Sequence, residues 1–239
     1  TRLSRGLGDV YKRQSLGCIA IIVSISILNG FEDKVKKKII SFEGDLRISG
    51  FRNFEKELEI IKYMDGISFA VPFKKRKGLI IAENELTEML IFKSVDFRHL
   101  KNFYNIDYDD KVKNDNIPEI IIGQMTAQKL NVKKGDLVKI TSPLDQNLSF
   151  GIPRVNQCRI SQVFNTKVLD FDNQVVFIPE EIGNLLFVRK KIPDGIDLKL
   201  DGLTSLDVKN KIIDKFPYLN ITSWKDTHHQ LFEAMKLEK

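Results

Sequence analysis

Cysteine is nearly absent: Cys18 and Cys158 are the two thiols in 239 residues. They form no C-x-x-C pair, so neither a disulfide framework nor a thiolate metal site is indicated, and the redox compartment stays open. Catalytic signatures are missing too, with no G-x-x-x-x-G-K-[ST] loop, no G-x-S-x-G elbow and no H-E-x-x-H helix. Two of the three histidines are adjacent, His228 and His229, and on a helix they project about 100° apart, a poor metal pair. Two exposed histidines are the simpler reading. Asp107, Asp109 and Asp110 lack the spacing and glycine of a calcium loop and read as solvated acids. No metal and no cofactor are expected, and no repeat or low-complexity run interrupts the chain.

What stands out is an uncharged apolar stretch, LGCIAIIVSISIL over residues 16–28, followed by Asn29-Gly30-Phe31 and a lysine-rich segment over 32–42. Thirteen helical residues rise about 20 Å, short of a hydrocarbon core of about 30 Å. The stretch is therefore a signal-peptide core or a truncated transmembrane helix. The absence of small residues at an A-x-A-like cleavage site favours truncation. Asp9-Val10-Tyr11-Lys12-Arg13-Gln14 resembles a translated sequencing adaptor, the alternative being an ordinary basic flank, and residues 1–14 are set aside as an artefact. They carry four basic residues against Asp9, so half of the formal net charge of +6 belongs to them. The small excess that remains gives no ground for a nucleic-acid partner.

Residues 15–42 are read as a truncated first transmembrane helix with a juxtamembrane helix. Val35, Ile39, Ile40 and Phe42 lie mainly on one face, with Lys34, Lys36, Lys37 and Lys38 around the others. Downstream, the periodicity predicts an α+β domain. A strand over 46–49, a helix over 54–64 and strands over 67–71, 77–82 and 88–95 come first. Lys74-Lys75-Arg76-Lys77 lies between two of these strands; phosphate or lipid contact is possible there, and a charged turn is simpler. Residues 103–116 read as a loop. Then come a strand over 119–123, a helix over 124–130, a strand over 137–141 and a Gly/Pro-interrupted projection over 146–156. Strands over 157–164 and 174–178 follow, with a helix started by Pro179. A strand over 196–200, a helix capped by Thr204 or Ser205 and a strand over 219–222 complete a split βαβ pattern. Residues 43–97 and 194–223 are expected to form one discontinuous subdomain, and 117–190 a strand-rich insertion. Residues 224–239 read as a helix leading to a second transmembrane helix beyond the sequence.

In this order the chain resembles the lipoprotein-releasing ABC transporter permeases of the LolC/LolE family. Ser24-Ile25-Ser26-Ile27-Leu28-Asn29-Gly30-Phe31 is similar to the family's "sVMNGF". Ile121-Ile122-Gly123-Gln124 through Leu130-Asn131-Val132 to Lys134-Gly135-Asp136 is similar to "viLG..lA..LgV..GD.v". Residues 221–239 are similar to "..W......lf.al.lEK" before the second span. The resemblance implies a MacB-like periplasmic domain, with a Porter-like subdomain holding a Sabre-like insertion. It also implies a hook over residues 143–155 that recruits a LolA-type periplasmic chaperone. On this chain the hook would comprise Leu148, Phe150, Gly151, Ile152, Pro153 and Arg154, with Lys139 at its base. The alternative is a tip packed back on its own subdomain. Val155-Asn156 stands where the family has a Gln-Arg pair, and Arg154 or Arg159 is the candidate substitute.

The implied function is non-catalytic. A permease subunit in the bacterial inner membrane, with this domain in the periplasm, would work with a separate ATP-binding subunit and a second permease subunit, passing lipoprotein cargo to the chaperone. The alternatives are a MacB- or FtsX-type permease that exports peptides or transmits force, and a membrane-anchored periplasmic binding domain.

Overall fold

The computed structural model describes residues 2–108, 117–143, 155–188, 191–202 and 204–229, and gives backbone alone for 2–10 and Glu32. The chain divides into two compact units, residues 1–38 with 228–239 and residues 39–227. The elements in order are α1 (Arg2–Glu43), β1 (Leu46–Ser49), α2 (Phe54–Lys62), β2 (Ile67–Ala82), β3 (Thr87–Val95), α3 (Leu100–Tyr104), β4 (Glu119–Gly123) and α4 (Gln124–Leu130). Then follow β5 (Leu137–Thr141), β6 (Val155–Phe164), α5 (Leu169–Gln174), β7 (Val175–Pro179), α6 (Glu180–Leu186), β8 (Gly195–Leu200), α7 (Ser205–Lys215), β9 (Asn220–Ser223) and α8 (Trp224–Thr227).

In the first unit, α1 runs unbroken through Asn29-Gly30, so the expected short span and juxtamembrane helix are one element. A single helical glycine costs only about 1 kcal/mol, which the flanking helix formers absorb. The uncharged run is also longer than its apolar core, Gln14 to Phe31, and rises about 27 Å. By length and composition this helix is able to cross a membrane. Its Ile19, Ile21, Ile22, Ile25 and Ile27 side chains are exposed.

The second unit is built on one nine-stranded sheet. The first half of β2 pairs with β8, β8 with β1 and β1 with β9, giving a four-stranded antiparallel sheet. One face buries Leu46, Ile48, Ala70, Ile196, Leu198 and Ile221 under Ile61 of α2 and Val208 and Ile212 of α7. Caps set both helices. Asn53 accepts from the Lys56 amide, and Thr204 accepts from the Asp207 amide at 3.2 Å.

The second half of β2 pairs with β3 and β5, and the succession β3-β7-β4-β6-β5-β2 closes on itself through β2 and β3, a ring of six strands. Alternate residues fill its interior: Ile80, Phe92, Ile122, Ile140, Cys158, Ile160, Val176 and Ile178. Ala127 and Leu130 of α4 and Ile182 and Leu186 of α6 join the same cluster. Burial there pushes the Cys158 thiol up to about 12.

Three expectations are corrected. Residues 67–71 and 77–82 are not two strands but one, because Lys74 to Lys77 continue the β2–β3 ladder opposite Ser94 to Ile91. Residues 88–95, grouped with the first sheet in the sequence reading, pair with β2 and β7 in the ring. Residues 103–116 are not loop from the start, since α3 reaches Tyr104 and buries Phe103 and Tyr104. Beyond these, α5 had no counterpart in the sequence reading. Its Phe171 stacks on Phe42 in the last turn of α1, with centroids 4.3 Å apart, and Phe164, Phe177 and Tyr104 complete an aromatic socket. Gly44 then turns the chain out of α1 at φ +86°, its amide bonded to the Ile40 carbonyl at 2.8 Å.

Candidate functional site

The residues expected to form the hook follow β5 and lead into β6 in the chain. These strands pair antiparallel, Leu137 opposite Arg159 through Thr141 opposite Val155, so residues 142–154 connect two adjacent strand ends. Leu148, Phe150, Gly151, Ile152, Pro153 and Arg154 lie outside the described residues.

The base is described. Val138 and Ile140 point into the ring, which leaves Lys139 exposed on its outer surface. Lys139 stands between Gln157 of β6 and Ile81 of β2. Gln157 is exposed and was not singled out from the sequence. Polar-outward alternation on β6 was the available signal. Asn156 is paired with Ile140 and shares the inward face, and its Nδ2 is buried without a hydrogen-bond partner. Val155, the last residue of the expected hook, is 47% exposed, an apolar residue facing out. The outward polar groups of this ladder are therefore Lys139, Gln157 and the half-buried Arg159.

Three residues of the basic run of β2 are absorbed by the fold, and the fourth, Lys77, is exposed. Lys74 is buried and donates to Asn184 Oδ1 at 2.6 Å. Lys75 approaches Glu43 at 3.8 Å, and Arg76 approaches Asp194 at 3.6 Å. Asp107 is exposed and pairs with Lys101 at 3.7 Å, while Asp109 and Asp110 lie outside the described residues. His228 is half-buried and His229 exposed. Among the described residues no group of three or more His, Cys, Asp or Glu side chains is placed to hold a metal ion.

A second polar cluster, not foreseen from the sequence, lies where sheet meets ring. Asp197 of β8 is fully buried. Its Oδ1 accepts from Arg47 Nε of β1 at 2.7 Å, and its Oδ2 accepts from Lys93 Nζ of β3 at 2.7 Å. Glu43, the last residue of α1, reaches Arg47 at 3.6 Å. The Phe73 ring lies beneath both cations, at 4.8 Å from Arg47 and 5.1 Å from Lys93. Burial lowers the Lys93 ammonium to about 8 although Asp197 opposes the shift. Burial also works against the Arg47 charge, but Asp197 outweighs it and holds that group up.

This architecture, a ring set between the two halves of a strand-helix sheet, is that of MacB-like periplasmic domains. The periplasmic region of MacB from Actinobacillus actinomycetemcomitans matches with a TM-score of 0.52 over 82% of this chain and 95% of its own, at 10% identity. No protein-family model matches the sequence. In sequence the chain is a relative of the lipoprotein-releasing system transmembrane protein LolC. It is 27% identical to that protein from Buchnera aphidicola subsp. Schizaphis graminum over 234 residues, and 24% identical to that of Neisseria meningitidis serogroup B over 243. Each match covers 94% of this chain, and the chain spans 57% of the length of these relatives.

Proposed function

We propose that the chain is the first membrane helix and periplasmic domain of an ABC-transporter permease subunit that extracts lipoproteins from the bacterial inner membrane and hands them to a LolA-type chaperone. The observation that carries this reading is the similarity to LolC along nearly the whole chain. The pairing of β5 with β6 supports a projecting hairpin at residues 142–154, the position of Phe150-Gly151-Ile152-Pro153. Apolar residues at a Gly/Pro tip suit insertion into a partner's hydrophobic cavity, and Lys139 at the base suits an acidic rim on that partner. A separate ATP-binding subunit supplies the energy. A second permease subunit, the same or different, completes the membrane part, and movement of the permease's membrane helices drives the cargo toward the docked chaperone.

The test is binding of the detergent-purified chain to a LolA-type chaperone from a related bacterium. Micromolar binding, about −8 kcal/mol, that weakens about tenfold in Phe150→Ala/Ile152→Ala is expected. Folded chain that does not bind would sink the hook assignment. It would leave a MacB-type exporter, whose fold this chain shares, as the working alternative.

A further inference from the structure

Backbone pairing changes partners in the middle of β2. β8 pairs with Ile67 to Phe73, β5 begins at Leu79, and between them, over 74–78, β3 is the strand laddered to β2. A ring closed on itself resists deformation, whereas a paired ribbon twists easily. Backbone hydrogen bonds alone therefore make a soft connection between sheet and ring. Three side chains from three other strands span this waist: the half-buried Arg47 of β1 and the buried Asp197 of β8 on the sheet side, and the buried Lys93 of β3 on the ring side.

We propose that the Arg47–Asp197–Lys93 cluster is a positional joint that fixes the angle at which the four-stranded sheet leaves the six-stranded ring. The reasoning is one of competing costs. A buried ion cluster contributes little or negative stability compared with apolar residues of the same volume, because desolvation offsets the attraction. Its attraction is strongly directional, however, and apolar contact is not. Lys93 meets Asp197 within hydrogen-bonding distance in one arrangement of sheet and ring, and any rotation about the waist breaks that contact before it disturbs either core. Lys93 faces Asp197 of β8, Arg47 of β1, Lys75 of β2, Tyr104 of α3 and, across Arg47, Glu43 of α1. Three cations thus face Asp197 and Glu43, with Asp194 also acting on Lys75. The Tyr104 hydroxyl, buried among the same charges, has no hydrogen-bond partner, so the cluster keeps one contact unfilled. The joint holds whichever partner the domain docks.

The experiment is a distance measurement between nitroxide labels on Asn220 at the sheet edge and Gln128 on the ring's α4, both exposed. It uses the full chain in detergent with the exposed Cys18 changed to serine; the buried Cys158 stays unlabelled. The native cluster is expected to give one narrow distribution. The variant Arg47→Met/Asp197→Leu/Lys93→Met is expected to melt at the same or a higher temperature with a distribution about twofold wider. A triple variant that folds and keeps the native width and mean overturns the proposal. Should it not fold, the native chain is taken from about pH 7 to about pH 10, where Lys93 loses its proton, with Lys93→Arg as the control that stays charged. Widening in the native chain alone supports the joint. An unchanged distribution across that range overturns it.

Discussion

The ring and the sheet share β2 but are stabilised in different ways. The ring buries alternate apolar residues from six strands and leaves no strand edge. The sheet buries one apolar face under α2 and α7, and on its other face it buries Asp197 against the half-buried Arg47. Losing a methyl group in the ring costs about 1 kcal/mol, as for Ile140→Val, and the neighbours partly refill the space. Losing a charge on the sheet's second face has no such remedy. The two halves teach that closure makes a core tolerant, while an open sheet meeting another body depends on a few specific contacts.

The sharpest way to break that contrast is Asp197→Asn. It leaves the buried Lys93 and the half-buried Arg47 without their shared acid, and it should cost about 3–5 kcal/mol in urea unfolding. Asp197→Asn within about 1 kcal/mol of native would mean that Glu43 or water compensates, and the contrast would fail. Next in size is Gly44→Ala. The glycine sits at φ +86°, and an added Cβ would lie 2.5 Å from the Leu198 carbonyl oxygen. A loss of about 1–3 kcal/mol is expected, read as a lower melting temperature, because the backbone itself must shift. The same substitution at Gly135, also at positive φ but with nothing within 4 Å of the added Cβ, should cost less.

Much of this was legible in sequence. EIIIG over residues 119–123, the alternation of 137–141 and the Thr204 cap appear where the pattern put them, since local periodicity and capping are short-range signals. The long β2 was not legible. Four consecutive basic residues read as a turn, because the groups that neutralise or accept three of them, Asn184 for Lys74, Glu43 for Lys75 and Asp194 for Arg76, come from distant parts of the chain. Residues 196–200 read as a strand, and the alternation of Ile196-Asp197-Leu198-Lys199-Leu200 gives no sign that its polar side is covered. Asp197 is buried, because Arg47 and Lys93 converge on that face. The hook residues 148–154, expected from family resemblance, lie outside the described residues. Of that site, the fold adds the paired strand ends and the outward Lys139–Gln157 pair.

Lys93 sharpens the contrast further. Its folded-state value of about 8 lies below the ordinary 10.5, so between those limits the unfolded chain binds more protons and stability rises with pH. The gain is at most about 1.4 kcal/mol per pH unit. Cys158 acts in the opposite sense: its thiol, raised by burial, favours the folded state at lower pH and loses that contribution from about pH 9 upward. The difference in unfolding free energy between native chain and Lys93→Met isolates the lysine, and it should grow in the native chain's favour from about pH 8 to about pH 10. A flat difference would mean that Lys93 is charged throughout and that the ion cluster stabilises more than burial costs.

The smallest expected effect on stability falls at the candidate docking site. Lys139 is exposed on the outer surface of the ring, between Gln157 and Ile81, so truncation removes neither a core contact nor a cap. Lys139→Ala should change unfolding free energy by less than about 0.5 kcal/mol. If the surface beside residues 142–154 meets an acidic rim, the same variant should slow association with the chaperone and flatten its dependence on salt, leaving dissociation nearly unchanged. A charge reversal, Lys139→Glu, should extend the effect in the same direction. Equal association rates for all three chains at low salt would remove Lys139 from the docking surface. The interaction would then rest on the apolar tip, with Val155 as its described neighbour.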